Sequence, residues 1–162
     1  MAIFRFGILL LLALLIAANT GCGGAANSNA AKAANSSAST SNPNAVRTNA
    51  EELGVLVKLP YETEDIVWKE YPTKKRIVAI MKFSAADAAK IVAEAGGTPE
   101  NTGIAVESWY PEELVAQTEM SGDNALKGVS YPATAFYQEP YTIGKITHVE
   151  GSDYFILDVL AK

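Results

Sequence analysis

The chain holds a single histidine, His148, and a single cysteine, Cys22, so chemistry built on imidazole or thiol must pass through one residue of each kind. A catalytic triad or a zinc site would need Asp153, Asp158 or a serine brought against His148 in space. One histidine supplies no ligand set, and neither Gly-x-Ser-x-Gly nor a His-x-x-Glu type of spacing occurs. Alternating with Ile146, Thr147 and Val149, His148 reads as a partly exposed strand residue. Glu62, Glu64 and Asp65 bring together the hard oxygens that calcium requires, but without the Asp-x-Asp-x-Asp-Gly order of a calcium loop. They read as a solvated acidic loop. Glu107 with Glu112 or Glu113 could form the carboxylate pair of a glycosidase, for which the groups must stand about 5 or about 6.5 to 9.5 Å apart. Lys74, Lys75 and Arg76 could meet a phosphate or lipid head group; the simpler reading is the solvated start of a strand. Gly96 and Gly97 follow a helical pattern, where a C-cap accounts for them without a phosphate loop. The expectation is of no catalytic set, no metal and no cofactor.

The remaining candidates are aromatic. Trp109 and Tyr110 stand beside Pro111, and Tyr131, Phe136, Tyr137 and Tyr141 are interspersed with Pro132 and Pro140. Flat faces at loop ends are a usual means of gripping sugars or extended peptides. Trp109, Tyr110, Tyr131, Tyr137 and Tyr141 are therefore the candidate partner-binding residues. Filling a core beneath a sheet accounts for the same residues, and both readings stay open.

The N-terminus gives a location. Arg5 precedes an apolar run of about 13 residues from Phe6 to Ala18, the n-region and h-region of a secretory signal. The run is short of the roughly 20 residues a helix needs to cross a bilayer. Asn19, Thr20, Gly21 and Cys22 follow, and this stretch resembles the lipobox of bacterial lipoproteins, although Asn19 stands where those proteins usually carry an aliphatic residue. The resemblance implies a signal peptide over 1–21, cleavage before Cys22, a diacylglyceryl thioether on its sulfur and an acylated amino group, palmitate among the acyl chains. Each buried methylene contributes about 0.8 kcal/mol, so two or more chains anchor a protein stably. Ordinary signal-peptidase cleavage, releasing a soluble protein, is the alternative. A lone cysteine allows no internal disulfide, and acylation would consume a thiol that is otherwise unusual in an oxidising compartment. Gly23, where a retention signal would place Asp, resembles lipoproteins sent on to the periplasmic face of an outer membrane.

From Gly23 to Ala50 the chain is almost wholly Gly, Ala, Asn, Ser and Thr, too poor in large apolar groups to offset the entropy of ordering. Residues 22–50 read as a lipid-anchored tether with a reach of roughly 30 Å. Branched and aromatic residues begin at Glu51, and 51–162 reads as a single domain. Of 13 basic residues, Arg5, Lys32 and Arg47 precede residue 51 whereas all 18 acids lie from Glu51 onward, which leaves this domain a formal charge of about −8. Nucleic acid and anionic lipid surfaces are repelled by such a domain; its membrane partner is reached through Cys22 alone.

These residues must be positioned by the elements between them. Leu53, Val55, Val57 and Leu59 alternate like a strand that Pro60 ends, and Ile66–Trp68 begins a short second one. Arg76–Phe83 is apolar on both faces and reads as a central strand. Ser84 caps a helix to Ala95, with Asp87 completing a capping box and Ala88, Ile91 and Val92 in its apolar stripe. A short strand at Ile104–Val106 and a helix from Pro111 through Thr118 come next. Leu126–Tyr137 reads as a strand interrupted at Pro132, hence an edge or a bulge. Ile143–Val149 and Tyr154–Leu160 make a hairpin around Glu150–Asp153. The sum is an α+β fold, an antiparallel sheet of five or six strands with one or two helices on one face. The function expected is a non-catalytic binding or scaffold module for a protein or cell-wall partner. Alternatives are an inhibitor or immunity-type protein, or a carboxylate-dependent enzyme acting on envelope glycans.

Overall fold

The computed structural model describes Asn42 and residues 44–162; Cys22, the signal segment and most of the tether lie outside the described residues. Along the chain come β1 (Val46–Arg47), α1 (Ala50–Leu56), β2 (Asp65–Tyr71), β3 (Arg76–Lys82) and α2 (Ala85–Glu94). They are followed by β4 (Glu100–Ala105), α3 (Glu112–Ser121), β5 (Ala125–Pro132), β6 (Tyr141–Val149) and β7 (Tyr154–Ala161). The strands form one antiparallel seven-stranded sheet in the order β1-β2-β3-β7-β6-β5-β4. The class is α+β as expected, with more strands and more helices.

The pairing of β3 with β7 explains the core. Ile77, Ala79 and Met81 lie opposite Val159, Leu157 and Phe155 and point to one face, here called the inner face. Val78 and Ile80 point to the other, outer face, where Ile156 joins them. β3 is apolar on both sides because both are covered, as its sequence anticipates, and β7 matches it except at Asp158 and the exposed Leu160. Burying Trp68, Phe83 and Phe155 almost completely contributes roughly 1.5–3 kcal/mol each.

Helices pack on both faces, not one. Leu53 and Val57 of the α1 region and Ala88 and Ile91 of α2 join the inner core, whereas Leu114 of α3 joins the outer one. Ser84 caps α2 by accepting from the N–H of Asp87. Glu112 and Glu113 occupy the first turn of α3, and Gly122, at φ 68°, ends it.

Two of the expected strands are corrected. The segment expected as a strand over Leu53–Leu59 is helical through Leu56, within α1: Asn49 accepts from the N–H groups of Glu51 and Glu52, and Leu53 and the C-cap Val57 are both fully buried. Those two stand four residues apart, a helical spacing, whereas Val55 is 72% exposed. The folded domain accordingly begins before residue 51, with β1 and the Asn49 cap. The strand carrying Pro132 is also not an edge, since β5 has β4 on one side and β6 on the other. Pro132 is its last residue, and β4 begins opposite Ser130. Its missing N–H therefore falls where no neighbour on the β4 side could receive it.

Candidate functional site

On the outer face α3 and Tyr110 cover only part of the sheet. Where that cover stops, an open groove of about 720 Å³ remains, within the range of small-ligand sites. Half-buried Ile104 lines its floor above the almost fully buried Val78 and Ile156, and Ser130 and Thr147 add two nearly buried hydroxyls. These two residues face each other across β5 and β6, with oxygens 2.7 Å apart, so each satisfies the other. On the rim, Ile143 of β6 lies directly opposite Leu160 of β7, and both are exposed, at 48% and 39%. They are cross-strand neighbours with no element above them among the described residues.

The charged groups of the groove are held in place. Arg76 donates through Nε and a terminal nitrogen to the two oxygens of Asp158, at 2.6 and 2.8 Å, a bidentate fork. That hydrogen bonding raises the guanidinium pKa above its usual value, against the opposing effect of burial. Lys145 is ion-paired with Glu100. Glu107, on the β4–α3 connection, accepts from the Tyr71 hydroxyl at 2.8 and 2.9 Å and from Trp109 Nε1 at 2.8 Å. Burial alone would raise the Glu107 carboxyl, but these bonds and the charges of Lys69 and Arg76 together hold it below the ordinary carboxylate range. Burial, then the Glu107 charge, pushes the Tyr110 phenol far above its usual value, so it stays a neutral group lining the groove.

The five aromatic candidates do not converge. Trp109 and Tyr110 sit on the outer side as an edge-to-face pair with centroids 4.8 Å apart. Tyr131, Tyr137 and Tyr141 pack against the inner core. Tyr110 and Tyr141 are buried, at 7% and 6% exposure, so their ring faces are spent on packing. The Tyr141 hydroxyl donates to Glu70 at 3.1 Å, and that of Tyr137 to the carbonyl of Gly144 at 2.7 Å. Of the set, only Trp109 and Tyr110 neighbour the groove.

His148 lies on the inner side, stacked on Phe155 with centroids 4.5 Å apart and with Nε2 2.8 Å from the Ser152 carbonyl. Asp158 is committed to Arg76 on the opposite face. Glu62, Glu64 and Asp65 are exposed, and among the described residues no three metal-ligating side chains come together. Glu107 and Glu113 turn to different partners, the latter accepting from Tyr154. The basic run also splits: Lys75 takes a left-handed turn at φ 48° and Arg76 enters β3.

A second depression, of about 950 Å³, lies on the inner side of β4 and β5, beside Asn101, Asp123, Lys127 and His148. Thr102 and Gly103 of β4 border both depressions. Sequence reasoning missed Arg76 with Asp158, Ser130 with Thr147 and Ile143 with Leu160 as pairs. The alternation Ile156, Asp158, Leu160, a carboxylate set among aliphatics on one face of a strand, was the available signal. Comparison with protein-family models, with curated proteins and with solved structures finds no match to this chain.

Proposed function

We propose that this chain is a non-catalytic binding module of the bacterial cell envelope, anchored by acyl chains on Cys22, that captures a partner in the outer-face groove. The observation that carries the proposal is the uncovered part of the outer face, where exposed Ile143 and Leu160 border a groove whose polar side chains are pre-positioned by one another. Groups already held in place lose little entropy when a ligand arrives. Contiguous apolar surface rimmed by polar groups is a usual mark of an interaction site. The fixed state of the charged groups supports binding over acid–base catalysis: Asp158 is forked by Arg76 and Glu107 is bonded twice over. A tether from a lipid anchor would raise the effective concentration of the domain near the membrane to the order of millimolar, which makes weak binding sufficient.

A photo-crosslinking side chain placed at Leu160 in the full chain, in cells, should trap a discrete partner. The same group at Val55, 72% exposed on α1, should not. Equal trapping from both positions removes the groove from the account. For the anchor, intact mass of membrane-extracted protein should show acyl chains on Cys22; a free thiol there ends that part of the reading.

A further inference from the structure

The two borders of the sheet are built differently. One is closed by β1, only two residues long, with Arg47 lying 4.7 Å over the Trp68 ring. The other is β4, six residues in unbroken register with β5. Its six residues include no proline, no lysine and no bulge, and its one charged side chain, Glu100, stands at its first position and is ion-paired with Lys145. The direction of its backbone groups follows from its neighbour. The carbonyl of Lys127 accepts from the N–H of Glu150, so the Lys127 backbone faces β6. By alternation the backbones of Leu126 and Gly128 face β4, where their partners are Ile104 and Thr102. Asn101, Gly103 and Ala105 therefore turn their N–H and C=O groups outward. No backbone bond from Glu100–Ala105 leaves the β4–β5 ladder among the described residues.

We propose that β4 receives an extended, basic peptide segment as an eighth strand, with alternate side chains entering the outer groove and the inner depression. The inference rests on the binding-module reading and names its partner class. Strand addition supplies affinity through backbone bonds, and flanking depressions supply specificity at every second residue. Depressions on both sides of Thr102 and Gly103 match that two-residue period. The charge of the segment follows from what lines them. Arg76, Lys145 and Lys127 are already ion-paired, with Asp158, Glu100 and Asp123. Glu107 and Glu150, which also line the depressions, have no ion pair among the described residues. The formal charge of about −8 over residues 51–162 attracts a basic segment and opposes pairing with a second copy.

The test is amide hydrogen exchange on the full chain in detergent with a short peptide alternating valine and lysine. Exchange should slow at Asn101, Gly103 and Ala105, while Thr102 and Ile104, already in the ladder, change little. Gly103→Pro removes an outward N–H at a position where an added Cβ meets only ordinary contact, Ala125 Cβ at 3.6 Å. It should weaken peptide binding roughly tenfold or more with an unchanged thermal midpoint. Asn101→Pro should do the same if Gly103→Pro fails to fold. Thr102→Pro cuts the internal ladder and should lower the midpoint instead. Failure of the peptide to slow the three outward amides overturns the proposal, as does wild-type affinity in both outward-proline variants. Equal binding of a valine–glutamate peptide overturns the charge assignment. Protection of the same amides by self-association, seen as a dimer in sedimentation, replaces the peptide with a second copy. Trapping from Leu160 with unprotected β4 amides would sink strand addition alone and leave the groove reading standing.

Discussion

The inner and outer faces of this sheet share the strands β3 and β7 yet are finished in opposite ways. Under α1 and α2 the inner face is a continuous apolar layer, including Trp68, Phe83, Phe155 and Leu157 at or near zero exposure. Beneath α3 the outer face is similar, but beyond it Ser130, Thr147, Arg76 and Asp158 interrupt the aliphatics. The difference teaches that polarity here largely follows cover: where a helix excludes water the strands carry apolar residues, and where none does they carry polar groups that satisfy one another, with Ile143 and Leu160 as the exposed exceptions.

Substitutions on the two faces should accordingly fail in different ways. The largest effect belongs to the closed face: Phe155→Ala empties a fully buried position and should cost about 3–5 kcal/mol in chemical denaturation. Next is Gly144→Ala, at the open end. A Cβ there would sit 2.0 Å from the Asp158 carbonyl oxygen and 2.8 Å from Val159 Cα, so β6 and β7 must part, at about 2–4 kcal/mol. If it were as stable as wild type, the rigid pairing that aligns Lys145 and Asp158 would not be needed. A finer probe is Thr147→Val, which strands the Ser130 hydroxyl at 4% exposure and should cost about 1–3 kcal/mol. Adding Ser130→Ala should recover part of that loss; a double variant as unstable as the sum would break the mutual-satisfaction account.

The smallest effect is in pH. Because Glu107 is held below its ordinary 4.5, its contribution to stability is present above that value and is lost as the pH falls through the lower, folded pKa. Glu107→Gln should flatten the acid limb of a stability–pH profile between about pH 4.5 and the onset of acid unfolding, by less than about 1 kcal/mol given its partial exposure. An unchanged limb would mean that the Tyr71 and Trp109 bonds do not distinguish carboxylate from amide.

Local patterns carried the elements whose signals agree with one another. Arg76–Lys82 was legible from apolar residues on both faces, α2 from Ser84 and Asp87 with two following glycines, and the β6–β7 hairpin from its loop. The α1 segment is ambiguous because Leu53 and Val57 fit a two-residue alternation as well as a four-residue helical step, and Asn49 as a cap does not stand out from an Asn-rich run. The site was less legible than the fold. Arg76 and Asp158 are 82 positions apart and Ser130 and Thr147 are 17 apart, and only strand order brings each pair together. The aromatic candidates were legible as residues but not as a surface, because which face a tyrosine takes depends on a register that no local pattern fixes.

The position of β1 has a consequence for how such a domain would be presented. The chain enters the sheet at β1, and the open edge strand β4 lies at the far border, six strand spacings or about 29 Å across. A tether entering before β1, as proposed, and a peptide docked on β4 would then stand at opposite borders of the sheet. If both proposals hold, shortening that tether would limit the domain's reach without crowding the docked strand.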